Sequence, residues 1–119
     1  MVRSNIPKRG DVFIVDLNPV VGHEMKDDRQ CVVISPRDIN ALGICIMVAI
    51  TMGGAFARKA GMAVNISGHA TNGVALCNQV RSLDIAERVK QKTARYTDTL
   101  DAATVNDIVA RVVSIIDTA

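Results

Sequence analysis

The sequence predicts a small α+β domain, mainly β, with one strong helix at the C-terminal end. Three observations predict it. Short apolar runs recur along the chain, each stopped by Gly, Pro or Asn, as strands of a sheet are. One stripe at helical spacing, Val105, Ile108, Val109, Val112 and Ile116, lies near the end. The 119 residues are 49% apolar, which suits one packed core and argues against a disordered chain. Short antiparallel strands in a chain of this size curl into a barrel or half-barrel. Residues 1–119 are therefore expected to form a single domain.

Each element has its own warrant. Val12–Leu17 reads as a buried strand after the turn Arg9-Gly10-Asp11, and Asn18-Pro19 ends it. Residues 18–30 form a long polar loop, expected to be mobile until a partner orders it. Cys31–Ser35 is the next strand, stopped by Pro36. Residues 36–41 fit one helical turn closed by Gly43. Ile44–Ile50 is apolar on both faces, as a central strand is. Met62, Val64 and Ile66 alternate with Ala63 and Asn65, giving a strand with one buried face. Gly73–Val80 is a further strand whose last residues, Asn78 and Gln79, are polar. Arg88–Tyr96 is rich in Lys and Arg and fits no element clearly. The terminal helix runs from Ala102 to about Asp117, capped by Asp101.

Composition narrows the function. Phe13, Phe56 and Tyr96 are the only aromatic residues, so the core is aliphatic. The net charge is +2, but residues 98–119 carry four Asp against Arg111 alone, leaving a basic body and an acidic tail. A basic body suits a polyanion, although a solvated surface has the same composition. Cys31, Cys45 and Cys77 fit no zinc spacing and sit in apolar runs, as buried thiols of a reducing compartment do. Residues 1–10 lack the apolar core of a secretory signal, and Ile44–Ile50 is too short to span a bilayer. A soluble, cytoplasmic protein without a membrane partner is expected.

The candidate chemistry clusters around the first long loop. Arg29 presents a planar fork of donors that matches a phosphate, or equally a salt bridge to Glu24, Asp27 or Asp28. His23 titrates near neutrality and suits proton transfer, with Glu24 as an alternative base; a solvated loop pair looks the same. Thr51 ends the central strand just before Gly53-Gly54, where a fixed hydroxyl can meet a phosphate oxygen or simply close a turn. Asn78 and Gln79 can read base edges, and Arg58, Lys59 and Arg81 can contact a polynucleotide backbone. Asp27-Asp28 lies beside Arg29 with no third ligand, so no metal site is expected. Gly53-Gly54 lacks the Lys and Ser/Thr of a phosphate-binding loop, and no cofactor is expected.

Taken in order, these pieces resemble the MazF/PemK toxin family, and look closest to its ChpB branch. They are Arg9-Gly10-Asp11, Asp16-Leu17-Asn18-Pro19, Gly22-His23-Glu24 with Arg29, Val32–Ser35, and Ala49-Ile50-Thr51 with Gly53-Gly54. Phe56-Ala57-Arg58, Ala60-Gly61, Gly73-Val74 and Asn78-Gln79-Val80-Arg81 continue the match. The resemblance implies an SH3-like small barrel shared with the CcdB gyrase poisons and Kid, and a homodimer with an RNA groove across it. It implies metal-independent cleavage of single-stranded RNA, mostly mRNA, and neutralisation by a cognate antitoxin. By position, Arg29 and Thr51 match the family's phosphate-binding pair, and His23 matches an assisting histidine. The arginine and aspartate that PemK-type members carry in the later strand are here Leu76 and Asn78. Met25, Asp27 and Gln30 replace the Gln, Gly and Pro that the family favours. A non-catalytic member of the same fold, a gyrase-poison-like inhibitor or a toxin that only binds antitoxin or RNA, is the alternative.

Overall fold

Apolar runs bounded by turn residues become six antiparallel strands among the described residues. The computed structural model describes residues 6–17, 28–52 and 61–117. The strands are β1 (Asp11–Asp16), β2 (Asp28–Val33), β3 (Cys45–Thr51), β4 (Ala63–Ile66), β5 (Gly73–Leu83) and β6 (Ala94–Thr99). They form one sheet in the order β4-β5-β3-β2-β1-β6. Three helices accompany it among the described residues: α1 (Arg37–Asn40), α2 (Ile85–Lys90) and α3 (Ala102–Ile116). The mainly β architecture with a terminal helix agrees with the expectation.

The period of two along each strand divides the core into two faces. Val12, Val32, Val48 and Ile50 point to one face, where Val105, Ile108 and Val112 of α3 cover them. Val15, Cys31, Val33, Met47 and Ala49 point to the other, closed in part by Ile85 at the start of α2. The strand β3 is thus buried on both sides, as its unbroken apolar run requires. The stripe on α3 is as expected except at its end, where Ile116 is 75% exposed. Its N-cap is Asp101, whose carboxylate accepts from the Thr104 N–H.

Four sequence expectations need correction. Arg29 does not belong to the polar loop 18–30; it lies within β2, paired with Val15 of β1. Asn78 and Gln79 do not end a strand, because β5 continues to Leu83. Met62 packs with Val74 and Leu76, away from the face that Val64 and Ile66 join. Arg88–Tyr96, which fitted no element clearly, holds the end of α2 and the start of β6.

Candidate functional site

The site is assembled by strand register. Gln30 pairs with Ile50 and Cys31 with Ala49, so the next step along the ladder sets Arg29 level with Thr51. Residues level across an antiparallel pair point to the same face. Arg29 therefore stands beside Thr51, on the face of Val15, Cys31 and Ala49. Thr51 in turn pairs with Val74 of β5. Two residues far apart in sequence are brought level with each other at the end of the β2–β3 ladder.

Gly73 fixes Thr51 from the other side. Its φ is +122°, and a Cβ there would sit 2.4 Å from the Thr51 carbonyl oxygen. Only glycine permits that approach. The Thr51 backbone is consequently seated against β5, and its side chain leaves from a fixed base.

Arg29 is half-buried, and its Nε–H is buried with no hydrogen-bond partner. An unmet buried donor costs about 1–3 kcal/mol. Groups left in this state are commonly waiting for a ligand atom. The surrounding field is cationic. Arg81 pairs with Met47 on the same face, and Arg88 donates from Nη1 to the Asp16 carbonyl at 2.8 Å. Burial pushes the Cys31 thiol up to about 12, with Arg81 and Arg88 acting in the opposite direction. Burial likewise raises Cys45 and Cys77 to about 11. All three thiols are buried and free, which makes them poor nucleophiles.

Asn78 and Gln79 lie in a bulge. Val48 pairs with Val80 but Ala49 pairs with Leu76, so Cys77, Asn78 and Gln79 have no counterpart on β3. Bulges re-aim side chains next to sites. Asn78 is exposed and Gln79 half-exposed. With Arg81 they line an open groove of about 500 Å³. Leu76 is 8% exposed and packs with Val74, so this strand offers no titratable group at that position.

His23, Glu24, Arg58 and Lys59, expected at the site, lie outside the described residues, as does most of loop 18–30. The structure thus brings together Arg29 and Thr51, and places Asn78, Gln79 and Arg81 on one stretch of β5. Arg88 escaped the sequence reading. Its role depends on α2, and no local pattern announces a side chain that ties a helix to the end of β1.

The arrangement has known counterparts. A family model described as PemK-like, MazF-like toxin of type II toxin-antitoxin system matches residues 8–116. Endoribonuclease PemK of Escherichia coli is 32% identical over 117 residues, spanning 96% of this chain and 85% of that protein. Endoribonuclease toxin ChpB of Escherichia coli (strain K12) is 36% identical over 101 residues, spanning 82% of this chain and 87% of that protein. The branch singled out from the sequence is thus represented, at higher identity than PemK. A crystal structure of MazE-MazF from Deinococcus radiodurans superposes with a TM-score of 0.76 at 23% identity, covering 98% of this chain and 100% of that one. That last likeness concerns the fold. Among the described residues, no helix is long and apolar enough to cross a membrane.

Proposed function

Because the chain belongs to the PemK-like, MazF-like toxin family, we propose that it is the endoribonuclease toxin of a type II toxin–antitoxin pair. It cuts single-stranded RNA, mRNA above all, in the cytoplasm and thereby arrests growth. It works as a homodimer and is neutralised by its own antitoxin. The observation that carries this reading is the β2–β3 register, which brings Arg29 and Thr51 level on one face at the end of the ladder.

The geometry supports transfer within the RNA chain itself. The 2′-oxygen loses its proton to His23, to Glu24 or to water, and attacks the adjacent phosphorus. The bond from phosphorus to the 5′-oxygen then breaks. The leaving oxygen takes up a proton, giving a cyclic phosphate and a free 5′-OH. Charge accumulates on the non-bridging oxygens as the new bond forms. Arg29 and Thr51 answer it with donors already in place, at no cost of reorganisation. No step needs a metal. Asn78, Gln79, Arg58, Lys59 and Arg81 hold the flanking nucleotides, whose base edges are open in a single strand.

Incubation of a long single-stranded RNA with the protein in EDTA tests the reading. Discrete fragments ending in cyclic phosphate are expected, and Arg29→Ala is expected to lower the rate by about 10³-fold or more while the dimer stays folded. The buried Leu76, where a titratable group was to be looked for, favours one rival: a non-catalytic member of the fold. Intact RNA in that experiment would establish the rival instead.

A further inference from the structure

The basic segment between α2 and β6 has no part in the site described above. Its conformation is costly. The Lys92 N–H donates to the Val89 carbonyl at 3.0 Å and the Thr93 N–H to the Arg88 carbonyl at 2.9 Å. This pair of bonds closes a helix with a left-handed residue, a place that normally falls to glycine. Here it is Lys92, at φ +64°, the one non-glycine with positive φ among the described residues. A strained residue that keeps a long cationic side chain invites a functional reading.

The surroundings point to what the cation serves. Lys92 and Arg95 are exposed and line one groove of about 490 Å³ beside Ile14 and Val89. Lys8, Lys90 and Tyr96 line the next groove, of about 840 Å³, which shares Val89. Tyr96 is 56% exposed. Its ring meets Phe13 edge-on at 5.9 Å, and its hydroxyl bonds the Thr99 Oγ1 at 2.7 Å. The ring is thus held in place while much of it stays open.

The carboxylates of these grooves are already occupied. Asp11 accepts from the Thr99 hydroxyl and the Lys8 N–H, and Asp84 accepts from the Glu87 N–H. Glu87 accepts from Gln91 and lies 4.0 Å from the Lys90 Nζ. Asp16 also has its interaction. Lys8, Lys92 and Arg95 make no ion pair among the described residues.

This surface adjoins the site. Arg29 pairs with Val15 and Val15 with Ala94, so Tyr96, two residues on, shares the face of Arg29; Arg95 lies in the row of Ile14 and Gln30, on the other face of the same edge strand. Two strand spacings, about 10 Å, separate β2 from β6. Unpaired cations around a fixed aromatic ring match the alternating phosphates and bases of a single strand. We propose that Lys8, Lys92, Arg95 and Tyr96 form a second RNA contact, which takes the stretch flanking the phosphodiester at Arg29. The proposal rests on the endoribonuclease reading above.

Salt-dependent binding of a 24-nucleotide mixed-sequence 2′-O-methyl RNA, which cannot be cut, tests it. For Lys92→Gln/Arg95→Gln, the slope of log affinity against log salt is expected to become shallower by about 1.4, at about 0.7 per lost contact. Affinity at 0.1 M salt is expected to fall at least tenfold. Lys92→Gly is expected to lose about half of that slope change while melting at a higher temperature, which separates the cation from the turn. An unchanged slope in a parent protein that still cuts RNA in EDTA overturns this inference and spares the nuclease. A parent that neither cuts RNA nor binds the 24-mer overturns both. Loss of polyglutamate binding with unchanged RNA binding would assign the surface to an acidic protein segment, and overturn the RNA proposal.

Discussion

At the scale of single residues, Arg29 combines a stability cost with a chemical use. Its Nε–H is buried without a partner, so the folded protein carries a desolvated donor. Arg29→Met keeps the stem and removes the donor. The variant is expected to be about 1 kcal/mol more stable in urea titration and to be inactive on RNA. The type of residue at position 29 was legible in the sequence, and so was its suitability for phosphate. Its place inside a strand was not. Asp28, Arg29 and Gln30 are polar, and they extend β2 only because β1 supplies a partner for them. The same holds for Arg81, whose strand continues past Val80 along Met47.

At the scale of elements, glycine and the caps decide the outcome. Gly73→Ala would drive a Cβ into the Thr51 carbonyl in a backbone region that side chains avoid. A loss of about 2 kcal/mol or more is expected in denaturant titration. Cleavage should fall about 10²-fold because Thr51 must shift. The start of α3 makes a prediction in pH. The Asp101 carboxylate lies 2.7 Å from the His69 Nε2 and also accepts from Thr104. His69 first, then Thr104, holds the Asp101 carboxyl well below the usual carboxylate range. A carboxyl lowered on folding adds stability above its unfolded value, near 3.9, and that stability is lost as pH falls through the folded value. His69→Ala is therefore expected to melt lower than the parent at pH 5, with the gap closing toward pH 2 in thermal melts. The helix α3 was legible from its stripe and its Asp cap. The helix α2 was not, because its stop carries Lys92 where glycine would have signalled an end.

At the scale of the whole molecule, two aliphatic faces on one sheet hold the site. Ile108 is fully buried where α3 meets the strands. Ile108→Ala is expected to cost about 2–5 kcal/mol in denaturant titration, with the cleavage rate of the remaining folded fraction unchanged. The site lies at the far end of the β2–β3 ladder, on the opposite face from α3. Exposed apolar residues of that helix, Val113 and Ile116, show that its C-terminal end is less covered than its stripe suggested.

Hydropathy periods, turn residues and an Asp cap were sufficient to specify a mainly β chain with a terminal helix, because those signals act within a few residues. They also specified which side chains suit a phosphate, since that is a property of the side chain alone. Which of those side chains stand together depends on pairing between strands distant in sequence. The approach of Arg29 to Thr51, the seat of Thr51 against Gly73, and the bulge that turns out Asn78 and Gln79 are matters of register. A one-residue slip sends every side chain to the other face, and only the packed core excludes it.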